Sequence, residues 1–325
     1  MPEKGPFLHP SPIHILCSTD DRFAPWCGVM LTSLLHNLDR HAAVVHIVDA
    51  GISGTKHRQL LSLEHSYPAR LHFITPTPSL LARLPQSVNG WPPASFLRLI
   101  ATEILPSDLH RVIYLDCDIA VDTSIAPLWH LDLGGKACAV IPDAPPHIGQ
   151  QPRSAFCDIK GSYFNSGVMV IDLDKFRHLD IAARSLAMLS ALPPEFCFPD
   201  QDILNILLDG NHVDLPARWN VQSGHFKRER TDISGQELEE VRGVTRGKIS
   251  GIIHYTEFHK PWCNGINDFH PLEHIWRRYL KLSPWATHGL APRTLPLRTR
   301  LARFRHALAF RLGLPSAYLS VWKHI

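Results

Sequence analysis

The sequence predicts an α/β fold, a mostly parallel, doubly wound sheet flanked by helices. Short apolar runs alternate with stretches of helical spacing, and most of the connections between them are brief. A length of 325 residues suits one large α/β domain with an appendage. The apolar run Val112–Leu115 reads as a buried central strand that delivers Asp116 and Asp118 to its C-terminal end. Open α/β sheets bind ligands at that end.

The elements follow in order. Residues 12–18 read as a first strand that runs into Thr19-Asp20-Asp21-Arg22, and a helix over 24–37 comes next. A second strand spans 44–48, a helical stretch reaches Ser66, and a short strand covers 70–74. The Pro-rich segment 76–93 reads as an irregular surface loop. Apolar spacing predicts a helix over 94–105, with Arg98 inside it and Pro106 closing it. Beyond the central strand, 137–141 is another strand, 142–160 a loop over the site, and 163–172 a turn feeding a strand. Helices over 174–189 and 199–209 and a late strand over 249–255 complete the pattern. The acids of the 199–209 helix sit at its N-terminus, where the macrodipole favours them.

Composition narrows the classes. Hydrophobic residues at 45% and charged residues at 19% are globular values, and no apolar run is long enough to span a bilayer. Residues 1–12 read as a flexible start with no signal peptide. Seven scattered cysteines with no Cys-x-x-Cys pair argue against a disulfide framework or a zinc knuckle and point to a reducing cytoplasm. The net charge of +3 conceals an asymmetry, because the last acid is Glu273 while ten Lys and Arg follow it. The other 23 basic residues face all 30 acids, so an acidic body carries a basic tail. Such a tail suggests its own anionic partner.

Asp116 and Asp118 are two apart, so strand alternation turns both carboxylates toward one point and Cys117 away from it. Two hard oxygen ligands there suit Mg²⁺ or Mn²⁺. A strand ending in an Asp-rich turn is the plainer alternative.

Taken together, the motifs resemble glycosyltransferase family 8, and within it the bacterial lipooligosaccharide α-1,4-galactosyltransferases. The matching pieces are Ser18-Thr-Asp-Asp21, His46-Ile-Val-Asp-Ala-Gly-Ile-Ser53, Tyr114-Leu-Asp-Cys-Asp118, Pro127-Leu-Trp129 with Asp132-Leu-Gly-Gly135, Tyr163-Phe-Asn-Ser-Gly167, Asp200-Gln-Asp-Ile-Leu-Asn205, and His254-Tyr255 with Lys260-Pro-Trp262. The resemblance implies a GT-A fold, a Rossmann-like mostly parallel sheet, over 13–285, with a basic helical tail over 286–325. It implies a retaining hexosyltransferase that takes galactose or glucose from a UDP-sugar, with Mn²⁺, or Mg²⁺ in its place, held by Asp116, Asp118 and His254. Asp20 matches the uracil position, Ser18, Arg22 and Cys117 flank the nucleotide, and Arg98 and Lys260 match residues that reach the phosphates. Asn165, Ser166, Asp143, Asp200 and Asp202 match positions around the donor sugar and acceptor, and Gln201 matches a group under the anomeric carbon. A neutral amide is a poor nucleophile, which favours front-face transfer over a covalent intermediate.

Taken singly, several of these residues have structural readings. Asp20 and Ser18 could be strand-end caps, Asp200 a helix N-terminal acid, Lys260 a solvated lysine and Arg98 a surface arginine. One departure stands out: Glu257 replaces the family's usual Gly three residues after the metal His. That leaves open a catalytically weak or silent UDP-binding scaffold; a glycogenin-like glucosyltransferase is the other alternative. In the tail, Leu297, Leu301, Phe304, Leu308 and Leu312 fall at helical spacing among arginines. The pattern suits the inner face of an anionic bacterial cytoplasmic membrane, where a lipopolysaccharide-type glycan or glycolipid acceptor would be met. Nucleic acid fits poorly with the acidic body.

Overall fold

The computed structural model describes residues 11–85, 91, 93–144, 158–191, 198–226, 235–256, 260–263, 270–288, 290, 297, 301 and 305. The main sheet has seven strands: β1 (Ile13–Thr19), β2 (Ala43–Asp49), β3 (Ala69–Ile74), β4 (Arg111–Leu115), β6 (Cys138–Pro142), β7 (Phe164–Asp172) and β8 (His212–Asp214). Their order is β3-β2-β1-β4-β7-β6-β8. The pairs β2/β3, β1/β2, β1/β4 and β6/β8 are parallel, and β7 alone runs against its neighbours β4 and β6. A second sheet joins β5 (Ile119–Val121), β10 (Ile252–His254) and β9 (Val221–Gln222), in the order β5-β10-β9. This is the mostly parallel, helix-flanked architecture that the βα alternation predicts.

Strand alternation divides the core between the two faces of the sheet. Ile13, Ile15 and Cys17 of β1 enter one apolar cluster, while Leu16 between them enters the other with Val112 and Tyr114 of β4. The helix Ala24–His36 packs on the first face and is buried through Leu35, which is why its sequence is apolar nearly all round. Gly28 within it is required by a close approach, since a Cβ there would lie 1.9 Å from the Trp285 ring. The amphipathic helix Glu273–Leu282 is fastened alongside through Tyr279, whose hydroxyl bonds Asn37 and Asp122.

Several expectations are corrected. Residues 93–100 wind as a 3-10 helix before a short α-helix, Ala101–Ile104; eight residues are too few for apolar spacing to separate a three-residue repeat from a 3.6-residue one. The helix predicted over 174–189 is two, Leu173–His178 and Ile181–Leu189, broken at Asp180, which takes the left-handed conformation at φ 53°. The loop predicted over 76–93 contains a helix, Pro78–Leu81, capped by Thr77, whose Oγ1 accepts from Leu80 N. Of the other expectations, the flexible start (except residues 11 and 12), most of the loop over the site, Glu257 and nearly all of the tail lie outside the described residues.

Candidate active site

Backbone register brings the site together at the C-terminal end of β4. Leu115 pairs with Val168, and Asp116 N donates to Gly167 O at 2.9 Å, so Gly167 lies against Asp116. His254 pairs with Ile119 across the β5/β10 ladder, and Tyr255 N donates to Asp118 O at 3.0 Å, which sets His254 beside Asp118. His254 Nε2 lies 3.0 Å from Asp118 Oδ1 and 3.8 Å from Asp116 Oδ2. Ligand atoms of all three residues fall within 4.8 Å of one another.

This group fits a hard divalent cation. Neighbouring donors on one octahedral ion sit about 3 Å apart, given metal–oxygen bonds of about 2.1 Å. Gly167 makes room for it: a Cβ there would stand 2.2 Å from His254 Cε1 and 2.7 Å from Asp116 Oδ2. Burial resists ionisation of Asp118, yet Lys260 and His254 hold its carboxyl well below the usual carboxylate range. The donor set of two carboxylate oxygens and an imidazole suits Mn²⁺.

Arg98 is nine-tenths buried and is not the surface arginine of the plainer reading. Its Nη2 donates to Asp116 Oδ1 at 2.6 Å, and its Nη1 to Ser166 Oγ at 2.9 Å; its Nε lies 3.1 Å from Asp200 Oδ2. The guanidinium lies 4.6 Å above the Tyr114 ring, and Tyr114 Oη donates to Asp116 Oδ1 at 2.7 Å. Burial weighs against the charge of Arg98, but Asp116, Tyr114 and Asp200 more than restore it. Asp200 itself is raised, because burial outweighs the relief from Arg98. Lys260 Nζ is drawn onto Asp118 Oδ2 at 2.5 Å and also bonds Tyr255 O, so it is a paired and not a solvated lysine.

Among the residues that the resemblance sets around a sugar, Gln201 Oε1 accepts from Asn165 Nδ2 and Ser166 N, both at 3.1 Å, and Asn165 Nδ2 also lies 3.2 Å from Asp143 Oδ1. Asp143, Asn165, Ser166, Asp200 and Gln201 therefore converge next to the acid pair. The residues that the resemblance sets around a nucleotide have structural contacts of their own. Asp20 Oδ1 caps Phe23 N at 2.7 Å, the cap that the plainer reading gives. Ser18 Oγ donates to Ala94 O, Cys117 Sγ to Ser18 O at 3.2 Å, and Arg22 is exposed.

Tyr114, Gly167 and Asn220 also touch the Asp116–Asp118–His254 group. Tyr114 and Gly167 lie inside the quoted motifs, where the contacts to Asp116 and His254 depend on strand register. Asn220 lies in no motif; its Oδ1 stands 3.0 Å from His254 Nδ1.

A mostly parallel sheet with an Asp-x-Asp turn at the C-terminal end of its central strand, faced by a histidine from the second sheet, is the arrangement of a GT-A fold. The particular family follows from comparison. Residues 14–265 match the model of "Glycosyl transferase family 8", and the chain belongs to that family. It is 28% identical over 285 residues to general stress protein A of Bacillus subtilis, covering 85% of this chain and 96% of that protein. It is 29% identical over 276 residues to lipopolysaccharide 1,2-glucosyltransferase of Escherichia coli K12, covering 84% and 79%. The solved galactosyltransferase LgtC, in complex with donor and acceptor sugar analogues, superposes with a TM-score of 0.70 over 89% of this chain and 99% of that one at 23% identity, a likeness of fold.

Proposed function

We propose that the chain is a retaining hexosyltransferase that moves galactose or glucose from a UDP-sugar to a sugar of a lipopolysaccharide-type glycan. The observation that carries the reading is the convergence of Asp116, Asp118 and His254 at the C-terminal edge of the sheet, within reach of Lys260. These three residues would hold Mn²⁺, and the ion, when bound, supplies positive charge to the departing diphosphate. Lys260 would leave Asp118 for the diphosphate oxygens, adding a compact cation there. Ser18, Asp20, Arg22 and Cys117 surround the nucleotide; Asp20 Oδ1 accepts from Phe23 N, and its second carboxylate oxygen would meet the base.

The sugar lies against Asp143, Asn165, Ser166, Asp200 and Gln201. Gln201 Oε1 already accepts two hydrogen bonds, one of them from a backbone N–H, and is held as a polar floor under the anomeric carbon. That arrangement supports front-face transfer: the acceptor oxygen attacks on the side from which UDP departs, and a departing phosphate oxygen takes its proton. The acceptor is inferred from the lipopolysaccharide glucosyltransferase relative.

Peripheral attachment to the inner face of the cytoplasmic membrane completes the reading. No described helix is long and apolar enough to cross a membrane. Leu297 and Leu301 in the tail are 68% and 53% exposed, as an apolar stripe awaiting a lipid surface would be.

Release of UDP from a panel of UDP-sugars, with and without Mn²⁺, tests the proposal. Turnover of one donor that is lost without metal and in Asp118→Ala supports it. Turnover that survives both changes sinks it.

A further inference from the structure

We infer that Asn220 is a positioning residue for His254, and that two backbone N–H groups, those of Ser166 and Gly167, dictate through it which imidazole nitrogen faces the metal. The inference rests on the reading of His254 as a metal ligand. A peptide N–H can only donate, whereas a side-chain amide presents one oxygen and one nitrogen and could be placed either way round. A backbone donor therefore fixes the sense of any amide it touches.

Ser166 N donates to Gln201 at 3.1 Å, so the atom there is Oε1, and Gln201 Nε2 must point to Tyr163 Oη at 3.2 Å. Tyr163 Oη in turn donates to Asp202 Oδ1 at 2.6 Å, a carboxylate that closes this end of the chain as an acceptor. Gly167 N donates to Asn165 at 3.0 Å, so that atom is Oδ1, and Asn165 Nδ2 must face Gln201 Oε1. The two fixed amides agree.

Asn165 Oδ1 also lies 2.9 Å from Asn220. An oxygen there demands a donor, so the facing atom is Asn220 Nδ2, and Asn220 Oδ1 is left facing His254 Nδ1 at 3.0 Å. His254 Nδ1 must then carry a hydrogen, and Nε2 is the ring nitrogen that faces Asp116 and Asp118. Asn220 is wholly buried and His254 is 3% exposed, so no solvent competes for these positions. Nε2 and Asp118 Oδ1 stand 3.0 Å apart, a gap that a proton bridges in the metal-free chain and that a metal ion would take over. The same amide reaches the sugar side through Asn165, which contacts Gln201 and Asp143. Asn220 thus aligns the metal ligand and the sugar floor on one rigid network.

The test is a long-range ¹H–¹⁵N correlation spectrum of the metal-free full chain at a pH where imidazoles are neutral, paired with Mn²⁺ titration. Wild-type His254 is expected as the Nδ1–H tautomer; an Nε2–H tautomer overturns the inference without any variant. Asn220→Leu, close in volume but unable to accept, should lose the tautomer preference and weaken Mn²⁺ binding 10- to 100-fold. Asn220→Asp keeps an acceptor opposite Nδ1 and should restore the Nδ1–H preference, while its second oxygen, set against Asn165 Oδ1 without a donor, keeps Mn²⁺ binding below that of the wild type. An Asn220→Leu chain that keeps the Nδ1–H tautomer and wild-type affinity overturns the inference. Asp118→Ala separates the two ideas: if it binds Mn²⁺ as wild type does, the metal reading has failed, and the tautomer readout still decides the role of Asn220.

Discussion

Gly167 and His254 stand so close that one methyl group would not fit between them: a Cβ on Gly167 would lie 2.2 Å from His254 Cε1. Gly167→Ala must therefore push the imidazole or β7 aside. Overpacking of this kind costs about 1–3 kcal/mol. A lowered midpoint in chemical denaturation, together with loss of Mn²⁺ binding, is the expected outcome.

Tyr114 holds Asp116 by a 2.7 Å hydrogen bond while its ring supports Arg98. Tyr114→Phe keeps the ring and removes the hydroxyl. A hydrogen bond to a charged group contributes about 1.5–3 kcal/mol, so Asp116 should lose its fixed orientation and donor turnover should drop at least tenfold. Circular dichroism should remain that of the wild type.

Much of this site is legible in the sequence, and the reason is its chemistry. Asp116, Asp118, Asp200 and Gln201 sit in short contiguous motifs whose spacing survives any uncertainty over element boundaries. Asn220 is different, because its contact with His254 is created by β9 lying beside β10, and β9 is only two residues long. Antiparallel β7 carries the same apolar pattern as a parallel strand, so its direction cannot be read from that pattern. Asp180 in the left-handed conformation splits a helix that its apolar spacing joins.

Arg98 bridges Asp116 and Asp200 in a buried setting. Arg98→Ala leaves the buried Asp200 and the part-buried Asp116 without their shared cation and should destabilise the fold by about 3–5 kcal/mol. Because burial already raises Asp200, Asp200→Asn should recover part of that loss. A double-mutant cycle by urea denaturation measures the coupling, expected to exceed about 1 kcal/mol in the rescuing direction.

Away from the site, His14, His46 and His72 line one face of β1, β2 and β3, with His14 Nδ1 3.0 Å from His46 Nε2 and the rings of His46 and His72 stacked at 5.9 Å. Burial, with His14 and His72 beside it, pushes the His46 imidazole down to about 4. The unfolded chain takes up its proton near pH 6.5 and the folded chain only near 4, so the unfolded state binds more protons between these values. Stability should fall as the pH drops from about 6.5 toward 4, by at most about 3 kcal/mol from this residue. Urea denaturation at pH 7 and pH 5 checks it, and His46→Leu should flatten the difference.

The central claim is that Asp116, Asp118 and His254 hold the metal through which a UDP-sugar is bound. Calorimetric titration of UDP into the full chain tests it most directly, with Mn²⁺, with chelator, and with Mn²⁺ in Asp118→Ala. The account predicts binding in the first case and its loss in the other two. Equal binding in all three, or none with Mn²⁺, would contradict it.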